Sequence, residues 1–397
     1  MTKNEKPMMT KNMIVLCKRL SFVWLLAIAV NVQAQQPNPG PGSFTDQGHW
    51  IPEVAKEMKG LKMGPFVRLS DGGILTIDGA QSFISHDNGK NWTAYTIFAD
   101  SSRYEIRPER ALLRTSSDVI VLAFANDRER ANWKWDEKIS DSPGATLPTY
   151  TVRSTDGGKS WEEPQQLHSE WTGAIRDIIE TAEGNIVFTT MMMRHNPGHH
   201  TVLTYTSKDQ GKTWIRSNVI DLGGVGHHSG VTESTLVQLK DGRLWMLLRT
   251  NWGMFWEVYS NDDGLTWTDV KTTTINASAS PGIIKRLASG GLVLVWNRQF
   301  PEGRTDYPLI GGDNQWAEVR ASAHREELSI AFSTDEGKTW SKPRIIAKCT
   351  EKSKYMKLPG GGKDISYPYF FEANPGEFWI TTWRGGLRVK LNEADIN

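Results

Sequence analysis

One eight-residue pattern recurs five times along the chain and limits its fold more than any other feature. The pattern reads Ser-x-Asp-x-Gly-x-x-Trp, and its copies begin at Ser85, Ser154, Ser207, Ser260 and Ser333. Within each copy the Asp can accept hydrogen bonds from N–H groups of its own turn, the Gly can adopt a positive φ, and the Trp can pack against neighbouring strands. The pattern therefore predicts a brace for a hairpin, with no direct part in catalysis.

A second unit, an apolar strand followed by a turn and another apolar strand, occurs six times. Five of the six copies precede the eight-residue pattern, and their turns fall near residues 70–73, 115–118, 182–185, 240–243, 288–291 and 374–377. The flanking runs are short and rich in β-branched residues, and no long stretch has helical periodicity. At about 60 residues per unit, the repeat predicts an all-β fold, a six-bladed β-propeller whose hairpins carry the braces.

The spacing of the pattern also locates two insertions. Consecutive copies are 53 residues apart in the middle of the chain, but 69 and 73 residues apart around the second and fifth units. The extra residues fall at 126–149 and 298–324. Insertions in repeat proteins commonly form loops over the binding face, and we expect the same here.

The first 34 residues have the features of a secretory signal. Five basic residues precede an apolar run at 20–30, and small residues end the segment at Ala34. We therefore expect a signal peptide at residues 1–34, a lead-in segment at 35–60 and the propeller domain at 61–397, with an uncleaved N-terminal anchor as the alternative. Export would place the protein in the periplasm or outside the cell. No later stretch has the ~20 apolar residues of a membrane span.

Charge and cysteine content exclude several classes of function. Removal of residues 1–34 takes away five basic residues and Glu5, so that the net charge changes from +1 to −3. A basic surface for nucleic acid is therefore not expected. Only Cys349 remains after this removal, which excludes an intramolecular disulfide and a zinc site built on cysteines. We expect neither a cofactor nor a metal.

Five such repeats, known as Asp boxes, on a six-bladed propeller resemble the sialidase superfamily, and three further segments add to the resemblance. The segment from Glu233 to Arg249 is similar to the fourth-blade motif of sialidases, in which a Glu begins a strand and an Arg follows about sixteen residues later. Arg325 leads into a strand similar to the one that carries the family's last carboxylate-binding arginine. Tyr367 lies where the family has its catalytic tyrosine. The resemblance covers most of the chain after residue 34.

The resemblance implies a retaining exo-glycosidase that removes a terminal, acidic sugar from a glycan. By this resemblance Tyr367 is the nucleophile and Glu233 is the base that takes its proton. A neutral tyrosine suits a sugar whose anomeric carbon bears a carboxylate, because a carboxylate nucleophile would meet a like charge. Arg249 and Arg325 would hold the carboxylate of the substrate through paired hydrogen bonds.

Two parts of the family's pattern have no counterpart at the matching positions. The first-blade arginine is absent from residues 62–67, and Arg107 at the start of the second blade is the candidate substitute. The acid/base aspartate, which usually precedes a box, is absent as well. Asp127, Asp136 and Asp141 in the first insertion are the candidates for this role, with solvated loop carboxylates as the alternative interpretation.

Histidines and tryptophans form two further groups. The histidines are His195, His199, His200, His227 and His228. Their spacing matches no established ligand motif. We interpret them as hydrogen-bonding loop residues, with a metal site or a histidine acid/base as the alternatives. The tryptophans Trp133, Trp135, Trp252 and Trp256 have flat faces that suit sugar rings, or they pack in the core.

Two rival functions stay open at this point. The first is a propeller hydrolase or lyase for glycans that contain uronic acids, in which histidine transfers the proton. The second is a glycan-binding propeller without catalytic activity. A glycan or glycoconjugate is the expected partner in all three cases, and the sequence indicates no oligomeric state.

Overall fold

A computed structural model describes residues 40–353 and 363–396 of the chain. The signal peptide predicted at residues 1–34 lies outside these ranges. Within them the protein is nearly all-β, with a single four-residue α-helix at Glu393–Ile396 and two 3-10 turns at Ser101–Arg103 and Asp127–Glu129. No helix in the described part of the chain is long and apolar enough to cross a membrane.

Three short strands begin the described chain, and four regular blades follow them. The first strands are β1 (Gly42–Phe44), β2 (Trp50–Pro52) and β3 (Lys56–Glu57). Blade 1 contains β4 (Phe66–Arg68), β5 (Ile74–Asp78), β6 (Gln81–Ser85) and β7 (Thr93–Thr96). Blade 2 contains β8 (Ala111–Arg114), β9 (Ile120–Ala125), β10 (Thr146–Ser154) and β11 (Gln165–Glu170). Blade 3 contains β12 (Ile178–Glu180), β13 (Ile186–Arg194), β14 (His199–Ser207) and β15 (Ile215–Arg216). Blade 4 contains β16 (Thr232–Gln238), β17 (Leu244–Arg249), β18 (Met254–Ser260) and β19 (Thr268–Asn276).

The last two blades each include strands from the N-terminal segment. Blade 5 contains β20 (Ile283–Arg286), β21 (Leu292–Trp296), β24 (Glu327–Ser333) and β25 (Arg344–Lys348), and the hairpin β22 (Leu309–Gly311) and β23 (Arg320–Ser322) is inserted between β21 and β24. Blade 6 contains β26 (Ser366–Asn374), β27 (Glu377–Arg384) and β28 (Arg388–Asn392). Strand β3 pairs with β28, and β1 and β2 extend blade 5 beyond β25. The described part of the lead-in segment predicted at residues 35–60 thus supplies strands to two blades.

The six blades form a closed ring. Their first strands, β4, β8, β12, β16, β20 and β26, contact one another in turn, and β26 contacts β4. The second strand of each blade is covered on both faces by the neighbouring blades, and β9 and β17 are buried along their whole length. Strands that are covered on both faces read as continuous apolar runs, as these do. The predicted six-bladed all-β propeller is confirmed.

The Ser, Asp and Gly of the Asp boxes have one common geometry, which the fourth box illustrates, whereas the partner of the Trp indole differs between boxes. Ser260 donates a hydrogen bond from its hydroxyl to Asp262 at 2.7 Å and accepts one from the Gly264 N–H at 2.9 Å. The Asp262 carboxylate also accepts from the Thr266 N–H at 2.8 Å. Trp267 is buried and donates from its indole N–H to Thr204 at 2.8 Å. The box therefore fixes the turn between the third and fourth strands.

Both insertions lie at one end of the ring, which we call the upper face. The upper face is the end at which the innermost strands begin. Because neighbouring strands in a blade are antiparallel, the loops between second and third strands also lie there. The insertion of blade 2 meets that of blade 5, since Gln315 donates a hydrogen bond to Glu137 at 2.8 Å.

Candidate active site

The innermost strands of blades 4 and 6 bring Glu233 and Tyr367 together at the upper face. Each residue follows the first residue of its strand, β16 or β26. Glu233 lies in a bulge of β16 and has a φ of +31°, while Tyr367 has a φ of +61°. A bulge and a left-handed backbone turn a side chain out of the regular alternation of a strand. Both side chains therefore depart from the ordinary strand pattern.

A hydrogen-bonded triad occupies this point. The Tyr367 hydroxyl donates to Glu233 Oε1 at 3.0 Å, and Arg249 Nη1 contacts Glu233 Oε2. Arg249 Nη1 also lies 3.5 Å from the Tyr367 hydroxyl oxygen. Arg249 ends β17 and pairs in register with Thr232, the neighbour of Glu233. All three residues are less than a tenth exposed.

Three more guanidinium groups surround the Tyr367 ring. Their Cζ atoms lie 5.5, 5.5 and 5.4 Å from the ring centroid and belong to Arg176, Arg325 and Arg384. Asp364 lies 3.6 Å from Arg325 Nη1 and 3.3 Å from Arg384 Nη1, so one carboxylate holds both arginines. Arg325 also donates to the Ala279 carbonyl at 2.6 Å.

These charges change the acidity of the phenol. Burial alone would raise the pKa of Tyr367, but the nearby guanidinium groups outweigh burial, so that its pKa is lowered from the ordinary value. Arg249, Arg325 and Arg384 act in this direction, whereas Glu109 acts against it. Burial in turn lowers the pKa of Arg249 to about 10. The guanidinium groups therefore make the Tyr367 phenol more acidic than a free tyrosine.

Four charged residues of this centre are absent from the sequence prediction. Glu109, Arg176 and Asp364 each lie two residues before the innermost strand of blades 2, 3 and 6. Alignment of the six repeats by their innermost strands would have shown this shared position. Arg384 ends β27 and offers no comparable signal, because its place beside Tyr367 depends on the pairing of β27 with β26.

The predicted Arg107 lies in an ion-pair network near the centre. Its guanidinium lies 2.8 Å from Asp127 and 3.3 Å from Glu109. The side chain is 18% exposed. The candidate Asp127 accepts a hydrogen bond from Nη1 of Arg107, whereas Glu109 lies beside its Nε without a hydrogen bond.

The other two predicted aspartates lie in the insertion of blade 2. Asp141 is buried and lies 2.8 Å from Nδ1 of His195, and its other oxygen accepts from the Asn196 N–H at 3.1 Å. Asp136 is exposed and accepts from the Lys138 N–H at 2.9 Å. Among the residues that the structure describes, neither carboxylate forms a hydrogen bond or ion pair with Tyr367 or Glu233.

A row of aromatic rings runs across the upper face beside this centre. Trp133 stacks on Trp171 at 4.2 Å and lies 6.4 Å from His227, whose ring is 4.6 Å from that of His228. Trp316, from the insertion of blade 5, lies 5.4 Å from His228. His228 is exposed at the edge of this row, but the groups packed around its ring partly remove water from it and so lower its pKa. The charges of His227, Arg249 and Arg325 add to this effect. His228 therefore opens to solvent close to the arginines.

The remaining predicted residues lie around this row. His200 is buried and bonds to the His227 carbonyl at 2.7 Å, and Trp135 lies 5.7 Å from the His227 ring. His199 lies 2.9 Å from Asp221. Trp252 and Trp256 lie against each other at 5.1 Å in blade 4. Within residues 40–353 and 363–396, no group of three His, Cys, Asp or Glu side chains is placed to hold a metal ion.

Comparison with known proteins agrees with this architecture. The model of the family described as a BNR repeat-like domain matches residues 78–380. A sialidase from Clostridium perfringens is 25% identical over 201 residues, which cover 46% of this chain and 50% of that protein. A sialidase from Bacteroides fragilis is 22% identical over 237 residues, covering 57% of this chain and 40% of that protein. The aligned regions thus span half or less of these curated relatives.

Solved structures share the fold at lower identity. The Hadza microbial sialidase Hz136 superposes with a TM-score of 0.58 and 16% identity, covering 85% of this chain and 66% of that chain. A protein of unknown function from Dyadobacter fermentans superposes with a TM-score of 0.56 and 16% identity, covering 86% and 99%. The K499G mutant of the NanB sialidase from Streptococcus pneumoniae has a TM-score of 0.54 and 12% identity, covering 86% of this chain and 70% of that chain.

Identities this low establish the fold, whereas the family match covers most of the propeller. The chain belongs to the BNR repeat-like domain family, among the six-bladed propellers of the sialidase superfamily.

Proposed function

We propose that this protein is a retaining exo-glycosidase of the sialidase type, which releases a terminal acidic sugar from a glycan. One observation carries the proposal. The hydroxyl of Tyr367 donates a hydrogen bond to Glu233 at 3.0 Å, at the point where four guanidinium groups converge on the upper face. The sequence similarity to two sialidases supports the same class of reaction.

The contacts of Glu233 suit a base for the phenol. Its Oε1 accepts the hydrogen bond from Tyr367, and its Oε2 faces Arg249. A carboxylate that accepts a hydrogen bond from the phenol can take the phenolic proton. Tyr367 gives up this proton as it attacks the anomeric carbon, so that no ionised side chain has to approach the carboxylate of the sugar.

The arginines would bind that sugar carboxylate. Arg249 and Arg325 are the members predicted from the sequence, and Arg384 takes the place of the missing first-blade arginine. The side chain of Arg384 is 28% exposed, against 8% for Arg325, so it is the more accessible of the two. A planar guanidinium binds a carboxylate through two parallel hydrogen bonds.

The N-terminal assignments are part of the same proposal. Residues 1–34 direct export and are removed, and the enzyme acts on glycans in the periplasm or outside the cell. The basic residues, apolar run and small-residue site of this segment support export.

Tyr367→Phe tests the nucleophile. The variant keeps the ring among the arginines but has no oxygen to attack the sugar, so we expect kcat on a methylumbelliferyl sialoside to fall at least ~10³-fold. In the unaltered protein, a difluorinated sialic acid should label the peptide that contains Tyr367, as measured by mass spectrometry.

Tyr259→Phe is the matched control. This tyrosine lies in the third strand of blade 4 and bonds to Glu257, away from the centre. We expect its activity to equal that of the unaltered protein. Full turnover by Tyr367→Phe, or a label on another residue, would reject the proposed mechanism.

The exposed His228 favours a second candidate, a hydrolase or lyase for uronic-acid glycans. Its ring opens to solvent close to Arg249 and Arg325, which would hold a uronate carboxylate equally well. The lowered pKa of His228 leaves the imidazole neutral near pH 7, as a proton acceptor requires. Under this candidate His228→Ala loses turnover of uronic-acid oligosaccharides, while Tyr367→Phe keeps it.

A further inference from the structure

Cleavage of a glycoside needs a proton for the departing oxygen, and the predicted donors are engaged in other contacts. Asp127 pairs with Arg107, Asp141 holds His195, and Asp136 is exposed. In the described ranges, none of the three forms a hydrogen bond or ion pair with Tyr367 or Glu233. A second buried carboxyl group in the centre has no role so far.

That group is Glu109, at the upper end of blade 2. It lies two residues before β8 and is 2% exposed. Tyr369 fixes its backbone from both sides, because the Tyr369 hydroxyl donates to the Pro108 carbonyl at 2.7 Å and accepts from the Arg110 N–H at 3.1 Å. Tyr369 lies two residues after Tyr367 on the same strand, so the two blades hold Glu109 beside the nucleophile's strand.

Glu109 shares charged neighbours with Tyr367. Arg107 Nε lies 3.3 Å from Glu109 Oε2 without forming a hydrogen bond, so this buried oxygen keeps a free position. Arg176 and Arg384, which flank the Tyr367 ring, also act on the Glu109 carboxyl group. Glu109 in turn acts on the Tyr367 phenol.

The acidity of Glu109 suits a proton donor. Burial raises its pKa above the ordinary value, although the charges of Arg107, Arg176 and Arg384 oppose that rise. A carboxyl group with a raised pKa keeps its proton at a pH where an exposed glutamate has lost it. The two carboxyl groups near Tyr367 thus differ in environment, since Glu233 directly faces Arg249 and the phenol.

We propose that Glu109 is the general acid and base of the glycosidic oxygen, which completes the active site in place of the missing aspartate. This assignment rests on the proposed glycosidase function. The protonated Glu109 gives its proton to the glycosidic oxygen while the bond from that oxygen to the anomeric carbon breaks. At the same time the Tyr367 oxygen bonds to that carbon, and its proton passes to Glu233.

The second half of the reaction reverses these transfers. The Glu109 carboxylate takes a proton from water, whose oxygen attacks the anomeric carbon. The bond between that carbon and the Tyr367 oxygen breaks, and Glu233 returns the proton to the phenolate. The products are the free sugar and the leaving alcohol, and both carboxyl groups regain their starting states.

Glu109→Gln tests this assignment, because its loss of activity should depend on the leaving group of the substrate. The lactose of sialyllactose leaves as a poorly acidic alcohol and needs the proton, so we expect kcat/KM on sialyllactose to fall about 10²–10⁴-fold. The methylumbelliferyl group leaves readily without a proton, so the fall in kcat/KM on the methylumbelliferyl sialoside should stay below about 10-fold. The decline of activity at alkaline pH should also disappear from the kcat/KM profile, because the titrating acid is gone.

Glu105→Gln is the matched control, since Glu105 lies in the same segment but is exposed and 3.6 Å from Arg128. It should behave as the unaltered protein does on both sialosides. Labelling of Tyr367 by the difluorinated sugar shows that the Glu109→Gln site is folded. Equal losses on both sialosides, or none, would overturn the assignment. If the unaltered protein turns over neither sialoside, the proposed function fails, and the role of Glu109 fails with it.

Discussion

At the scale of the residue, the centre concentrates unfavourable features that the surrounding blades hold in place. Glu233 and Tyr367 both have a positive φ, which costs an ordinary residue about 1–3 kcal/mol. Four guanidinium groups lie around one ring, and such like charges repel. Backbone strain and concentrated charge persist only where the rest of the fold determines them, and they are typical of sites that bind or react.

A buried histidine should make the free energy of unfolding depend on pH. His168 in β11 lies among hydroxyl groups, 2.7 Å from Thr172 and 3.1 Å from Tyr205, and burial lowers its pKa to about 4. The unfolded chain binds the proton near pH 6.5, so the stabilisation is complete above that pH and is lost as the pH falls towards 4. We expect His168 to account for about 2 kcal/mol of the fall in unfolding free energy between pH 7.5 and 5.

Denaturant unfolding of His168→Gln at the two pH values checks this expectation. The variant should lose less stability on acidification than the unaltered protein does. An equal loss in both proteins would show that His168 is protonated in the folded state at pH 5.

The residues of the site differ in how far the sequence reveals them. Glu233, Arg249, Arg325 and Tyr367 were predicted through motifs, and the structure brings all four together. Arg384 was missed, because it carries no motif and reaches the centre only through strand pairing. The roles of all five stay predictions until variants are measured.

At the scale of the element, each Asp box acts between blades as well as within its own turn. A Cβ added to the box glycine of blade 4, Gly264, would lie 2.7 Å from Val187 in the second strand of blade 3. The box glycine of blade 5 faces Trp245 of blade 4 in the same way, at 2.4 Å. The box thus sets how closely consecutive blades approach.

Gly264→Ala should be much more harmful than an alanine in an ordinary turn. Gly264 has a φ of +78° and a close neighbour, whereas Gly242 in the same blade has a φ of +91° and open space around it. We expect Gly242→Ala to cost about 1 kcal/mol of unfolding free energy through backbone strain. Gly264→Ala should cost about 1–3 kcal/mol more, because overpacking adds to that strain.

Thermal and denaturant unfolding of the two variants measure this difference. Similar values for Gly264→Ala and Gly242→Ala would show that the box serves only its own turn. Turnover per folded molecule should be unchanged in both, since neither glycine lies at the upper centre.

At the scale of the whole molecule, the N-terminal segment holds the ring closed. Strand β3 is the outermost strand of blade 6, and β2 pairs with β25 of blade 5 through Trp50 and Lys348. Ile51 is 1% exposed and packs in a cluster with residues of blades 5 and 6. The same two blades carry Arg325, Asp364, Tyr367 and Arg384. The strands that close the ring therefore also support the site.

A chain that begins at Leu61, the predicted start of the propeller domain, tests this closure. It lacks β1 to β3 and the buried Trp50 and Ile51, so we expect the free energy of unfolding to fall by at least about 5 kcal/mol, with loss of turnover. A chain that begins at Gly40 is the control. Equal melting temperatures for the two chains, measured by calorimetry, would show that the segment is dispensable.

The sequence by itself determined the repeat, and with it the fold. Five boxes and six strand units specify hairpins through local hydrogen bonds and side-chain alternation, which need no knowledge of distant residues. The tertiary structure decided the composition of the site, because closing the ring brings blades 2, 3, 4, 5 and 6 to one axis. It placed Arg176, Arg384 and Glu109 around Tyr367 and left Asp136 and Asp141 at the insertion. Local patterns determine where strands and turns lie along the chain, whereas the set of side chains that meet at the axis depends on how the blades pack.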